Sequence, residues 1–196
     1  MSTPAMSTIR LLGIAGLLAL SGCASVSKTE CQTGDWYDIG IRDGANGYAE
    51  ERFLDNAKAC AKHGLPADRE RWSAGRLRGL ERYCTVRNGF AVGAQNAGYA
   101  GVCPQPQEDA FLQGYNLGKD LAQARGRLAH YDHDIHEIHE KLGAHDDKNS
   151  SQDSRDEKPL SDAERVELAV RLGVDLAQRQ QAQRDVEELE ARGRDL

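Results

Sequence analysis

The sequence predicts a mainly α protein: a disulfide-stapled, glycine- and aromatic-rich module of short helices followed by a long-helix coiled-coil hairpin. Three observations predict it. Aromatics and glycines recur at helical spacing between Tyr37 and Gly118, four cysteines lie within or beside that stretch, and from Leu117 onward the apolar residues step by fours and threes. Alternating β-branched runs, the mark of half-buried strands, are scarce.

The chain opens on an apolar run, Leu11 to Leu20, after Arg10. Spanning a bilayer takes roughly 20 apolar residues, and Ser27, Lys28, Thr29 and Glu30 end this run too early. A charged start, a short apolar core and small residues at the end form an export signal. An ordinary cleavage site carries small residues at positions −3 and −1, but here Leu20 stands at −3. Leu20-Ser21-Gly22-Cys23 resembles the lipobox of bacterial lipoproteins. That resemblance implies cleavage before Cys23 and acylation of its sulfur, with palmitate-type chains anchoring the protein to a membrane. Two or more acyl chains bind stably, at about 0.8 kcal/mol per buried CH2. Ala24, where an aspartate would retain such a protein in the inner membrane, implies the periplasmic face of the outer membrane of a Gram-negative cell. Residues 1–22 are thus the expected signal peptide, residues 23–30 a short tether, and Cys23 the lipid attachment site.

Export sets the reading of the remaining cysteines. In an oxidising compartment Cys31, Cys60, Cys84 and Cys103 predict two disulfides in a module over residues 31–116. Metal sites favour tight C-x2-C pairs, whereas the gaps here are 29, 24 and 19 residues. Three pairings are open; Cys31 with Cys60 and Cys84 with Cys103 close the most local loops. Residues 23–120 hold 12 Lys+Arg and 13 Asp+Glu, net −1, and residues 121–196 hold 12 and 18, net −6. Neither part has the basic character of a nucleic-acid-binding protein.

Within the module, Tyr37-x2-Gly40-x3-Gly44, Trp72-x2-Gly75-x3-Gly79 and Phe111-x2-Gly114-x3-Gly118 share one spacing, with Phe90-x2-Gly93-x4-Gly98 as a near copy. Positions i, i+3 and i+7 fall on one helical face, which predicts short helices packed through glycine with aromatics filling the gaps. Asn88-Gly89 and Gly101-Val102-Cys103-Pro104 read as turns. No Gly-x-Gly-x-x-Gly or P-loop pattern assigns the glycines to a cofactor.

These elements, with Trp72-Ser73-Ala74-Gly75-Arg76, Tyr83-Cys84, Asn88-Gly89-Phe90, Tyr99-Ala100-Gly101-Val102-Cys103-Pro104 and Phe111-x2-Gly114-Tyr115 in this order, resemble a family of short proteobacterial lipoproteins known only as a domain of unknown function. The resemblance covers about residues 31 to 120 and implies an envelope lipoprotein. It brings no activity, ligand or catalytic residue.

Beyond the module, Leu117, Leu121, Ala124, Leu128, Tyr131, Ile135, Ile138 and Leu142 form an uninterrupted heptad seam, predicting a long helix over residues 117–142. Residues 143–159 hold almost nothing that could be buried and read as a flexible polar linker. Ser161-x-x-Glu164 is a capping box that opens a C-terminal helix within residues 160–196, with Val166, Leu168, Leu172, Leu176, Val186 and Leu189 as its seam and Gly173, Arg179 and Gln180 interrupting it. A linker of that length lets the second helix fold back on the first, which is the arrangement expected; pairing between chains is the alternative.

His130, His133, His136 and His139 alternate with acidic residues on the outer face of the first coil helix. His133, His136, Glu137, His139 and Glu140 are the candidate metal ligands, since imidazole and carboxylate suit Zn, Cu or Ni. A three-residue step turns each histidine about 60° from the last, so a solvated face competes with a metal site, and no metal or other cofactor is assigned. The same face could sense pH.

No catalytic pattern stands out. His63 is the module's one histidine and reads as a helix end, bridged cysteines leave no thiolate, and Asp35, Asp38, Asp43, Glu50 and Glu51 have no distances to define an acid pair. Arg69, Arg71, Arg76, Arg78 and Arg82 near Trp72 form a candidate anionic face, offset by Glu70 and Glu81. The expectation is a non-enzymatic, lipid-anchored envelope protein that contacts another envelope protein or peptidoglycan; the alternative is a periplasmic metal or pH sensor.

Overall fold

The computed structural model describes residues 26–143 and 160–196, and these residues form helices and loops with no strand among them. The expected signal, Cys23 and nearly all of the expected linker lie outside the described residues. Seven helices follow in order: α1 (Lys28–Thr33), α2 (Trp36–Ala45), α3 (Arg52–Ala61), α4 (Arg69–Tyr83), α5 (Val86–Ala94), α6 (Gln107–Gly143) and α7 (Asp162–Arg194). Ser27, Asp35, Asp68, Thr85 and Ser161 start α1, α2, α4, α5 and α7, each side chain accepting a backbone N–H three residues on. Such caps satisfy donors that the helix itself leaves unpaired.

Glycine dictates how α2 meets α4. A Cβ at Gly40 or Gly44 would come closer than 3.0 Å to the carbonyl oxygens of Trp72 and Arg76, and a Cβ at Gly75 or Gly79 would meet those of Tyr37 and Ile41. The contacts climb together along both helices, so the pair is parallel, and α3 is the return connection. The same arrangement recurs between α5 and α6. Gly89 and Gly93 face the carbonyls of Phe111 and Tyr115, and Gly114 and Gly118 face those of Val86 and Phe90. Residues 95–106 replace the return helix with a loop.

The module is therefore one unit built twice, and its turns repeat as closely as its glycines. Asn46 ends α2 with its N–H shared between the carbonyls of Arg42 and Gly44; Gln95 ends α5 on those of Ala91 and Gly93. The next residue is left-handed in both, Gly47 at φ 69° and Asn96 at φ 55°. The following N–H then donates back, Tyr48 to Asp43 at 3.0 Å and Ala97 to Val92 at 3.1 Å. Finally the second helix catches that turn: Arg76 Nε donates to the Tyr48 carbonyl and the Tyr115 hydroxyl to the Ala97 carbonyl, each at 2.9 Å.

This register corrects two sequence expectations. The fourth copy is Val86-x2-Gly89-x3-Gly93, not Phe90-x2-Gly93-x4-Gly98, and a Cβ at Gly98 would meet nothing within 4 Å. Asn88-Gly89 lies inside α5 instead of in a turn, because Gly89 is needed where the α6 backbone approaches. Valine in the aromatic place hid the copy.

Each unit has a small core containing one disulfide. Val26, Cys31, Trp36, Ile39, Phe53, Cys60 and Trp72 form the first; Leu80, Tyr83, Cys84, Cys103 and Phe111 form the second. Phe53 lies between Trp36 and Trp72 at 5.9 and 5.4 Å, and Phe111 between Tyr83 and Tyr99 at 5.1 and 4.6 Å. Trp36 takes the buried aromatic place expected of Tyr37, which is 38% exposed.

The coil grows directly out of the second unit. α6 begins at Gln107, so its first turns belong to the module and its later turns to the coil, with no joint at residue 116. α7 folds back antiparallel, tied by Arg125–Glu190 at 2.7 Å, Arg127–Asp185 at 3.1 Å, Arg171–Asp134 at 2.9 Å and Arg179–Asp132. The α6 seam is as the sequence predicts: all eight of its residues are buried or half-buried. The α7 seam differs. Leu168, Leu172, Val186 and Leu189 face inward, but Val166 is 64% and Leu176 47% exposed, while Asp175 and Ala182 are buried. Arg179 lies on the seam and is held there by its acid, so it continues the packing it was expected to interrupt.

Candidate functional site

The two disulfides, Cys31–Cys60 and Cys84–Cys103, span Cα distances of 5.3 and 5.5 Å. In each unit the bridge joins the residues entering the first helix to those entering the second, so it clamps the ends where the glycine-packed pair begins. In the second unit the Cys103 N–H donates to the Tyr99 hydroxyl at 3.0 Å, which itself donates to Glu108 at 2.9 Å. Burial pushes the Tyr99 phenol up, and the Glu108 carboxylate adds to the shift. The phenol therefore stays protonated and serves as a hydrogen-bond bridge.

The first unit holds a buried polar node that sequence reasoning missed. Asp43 is fully buried, and its Oδ2 accepts from Trp72 Nε1 at 2.9 Å and Asn56 Nδ2 at 2.7 Å. Arg52 Nε stands 3.9 Å from Oδ1, which has no hydrogen-bond partner. The node joins α2, α3 and α4 through one carboxylate. Its counterparts in the second unit are apolar, Val92 for Asp43 and Phe111 for Trp72, so nothing in the repeat itself signals it.

At the module's edge, Glu30 caps α1. Burial raises its carboxyl, but hydrogen bonds from the Ser27 backbone and hydroxyl and the Arg42 guanidinium outweigh that and hold it at about 2, against an ordinary 4.5. The arginine group does not form one face. Arg76 is buried on the Tyr48 carbonyl, Arg69 lies 5.1 Å from the Phe53 ring centre, Arg71 stands 3.7 Å from Asp35, and Arg78 pairs with Glu81. Trp72 itself is buried. Of the candidate acids, Asp43 is in the node and Asp35 caps α2. His63 follows the end of α3, with its N–H on the Cys60 carbonyl at 2.9 Å.

On the coil, His130 Nδ1 is 3.6 Å from Asp134, and His133 Nε2 is 3.7 Å from Glu137. The structure brings these as separate i, i+4 pairs, and Asp134 is already bound by Arg171. His136, His139 and Glu140 join neither pair, and among the described residues no three His, Cys, Asp or Glu side chains converge as a metal site. No described helix is long and apolar enough to cross a membrane.

Among the described residues, what is assembled is a set of close helix contacts through glycine, clamped by two disulfides. Residues 35–120 match the family model described as Protein of unknown function (DUF2799). The DUF2799 stretch runs from the cap of α2 to just past Gly118, so it covers both glycine-packed pairs and leaves α1 and the projecting coil outside. No curated protein and no solved structure matches the chain.

Proposed function

We propose that this is a proteobacterial lipoprotein of the cell envelope, anchored through Cys23 at the periplasmic face of the outer membrane, with a structural or interaction role. The observation that carries the reading is α6: one helix is fixed in the module by Gly114 and Gly118 and continues, paired with α7, as the coil. From Gly118 to Gly143 it extends about 38 Å at roughly 1.5 Å per residue. Such a rod presents a surface at a fixed distance from the module, which is what holding or spacing a partner requires.

The anchor fits this geometry. Val26 is already in the first core, so only Ala24 and Ser25 separate it from Cys23, at most about 10 Å of extended chain. A lipid on Cys23 would keep the module against the bilayer and leave the coil to reach another envelope protein or peptidoglycan. Two disulfides suit an oxidising compartment. The metal- or pH-sensing alternative rests on histidines paired singly with acids, a weaker basis.

Crosslinking in intact cells tests the role. A photo-crosslinking residue in place of exposed Glu137 is expected to capture an envelope component, identified by mass spectrometry, and Cys23→Ala is expected to move the chain from the membrane to the soluble fraction. A membrane-bound Cys23→Ala chain, or capture of cytoplasmic proteins alone, would overturn the proposal.

A further inference from the structure

The α7 seam uses one side of the helix, and the opposite side is apolar too. Ala163, Val166, Val170, Gly173, Val174 and Ala177 repeat at three and four residues and are all exposed, the valines by 64%, 63% and 50%. Half-buried Leu168 and Leu172 and buried Asp175 show that α6 covers the other side. From Ala163 to Ala177 the stripe is about 21 Å long at roughly 1.5 Å per residue. An exposed apolar ridge of this kind marks an interaction surface.

Its surroundings indicate the occupant. Asp162 and Glu167 flank one end, and no lysine or aromatic lies in the stripe, which disfavours an anionic lipid surface. Residues 144–159 of this chain contain Ala144 and Pro159 but no larger aliphatic side chain to cover it. The far end is followed by Gln178, Gln180, Gln181 and Arg184. Reversed on itself about Val170, the stripe sets Asp162 opposite Gln178 and brings Glu167 within two residues of Arg171 of the second copy, and opposed helix dipoles align favourably. A parallel pairing would set Asp162 and Glu167 against their own copies.

We propose that α7 is the surface through which two copies of this chain associate, antiparallel, with Val170 on the two-fold axis, Val166 against Val174 and Ala163 against Ala177. Gly173, where a Cβ would meet nothing, leaves room for the second helix to approach. The contact is one stripe of small side chains on a single helix, so the dimer is weak and reversible. This inference goes beyond the anchoring proposal and holds with or without acylation of Cys23.

Cysteine crosslinking of the full chain in intact cells, read by non-reducing electrophoresis, tests it. Val170→Cys is expected to give a band at twice the monomer mass. Val166→Cys alone gives none, since the two copies lie about 12 Å apart along the axis at roughly 1.5 Å per residue, beyond the ~7 Å Cα reach of a disulfide. Co-expressed Val166→Cys and Val174→Cys give a mixed dimer, and adding Val170→Glu abolishes it. A strong Val166→Cys homodimer would show parallel pairing and overturn the proposal. So would no dimer from any variant, or a Val170→Cys crosslink only to a different protein. All three valines are exposed, so the cysteine variants keep the fold.

Discussion

At the residue scale, glycine is read through what stands next to it. Gly75 sits where a Cβ would strike the Tyr37 carbonyl, whereas around Gly126 nothing lies within 4 Å. Gly75→Ala is therefore expected to destabilise the protein by roughly 2 to 4 kcal/mol through forced separation of α2 and α4, while Gly126→Ala stabilises it by up to about 1 kcal/mol by helix propensity. Urea unfolding of both variants checks the pair of signs. Glu30 makes a pH prediction. Its folded carboxyl, held at about 2 against 4.5, contributes stability above about 4.5 and loses it as pH falls towards 2. Glu30→Gln should therefore cost stability at pH 7 and progressively less below pH 4.5, by a small amount because a third of the side chain is exposed to screening solvent. Denaturation midpoints across that range measure it. The glycine face was legible because its spacing is written in residue types, but Asp43 was not. Nothing in a lone aspartate one place before Gly44 says that Trp72 and Asn56, 29 and 13 residues on, will donate to it.

At the element scale, the sequence yielded the long helix, the capping box at Ser161 and the local disulfide loops, since heptads, caps and loop length are local signals. It misread α5 because an aromatic was sought where Val86 does the same packing. It misread the α7 seam for a different reason: Val166, Val170 and Val174 are more apolar than Asp175, yet the antiparallel register set by α6 turns Asp175 inward. Asp175 is 7% exposed, with Oδ2 lacking a hydrogen bond and Arg171 Nε 3.6 Å away. An aliphatic side chain here removes a desolvated carboxylate that lacks a hydrogen bond, and it leaves no buried charge unpaired, because Arg171 is half-exposed and keeps Asp134 as its partner. Asp175→Leu is expected to raise the coil's thermal unfolding temperature, followed by far-UV circular dichroism; a lower temperature would show that the charge holds the register.

At the scale of the whole molecule, a duplicated unit carries the architecture. Two parallel helix pairs, each with its own small core and its own disulfide, hold α6 so that the coil continues from the second pair without a joint. The match to DUF2799 stops where that duplication stops, and the projecting coil lies beyond it. The proposed lipid anchor at Cys23, the disulfide-bridged module and the projecting rod together make up the proposal of an envelope scaffold. Mass spectrometry of the non-reduced chain extracted from membranes of its own cells tests that account most directly. The expected result is an amino terminus at acylated Cys23 with peptides linked Cys31 to Cys60 and Cys84 to Cys103. An unmodified amino terminus upstream of Cys23 together with four free thiols would contradict it.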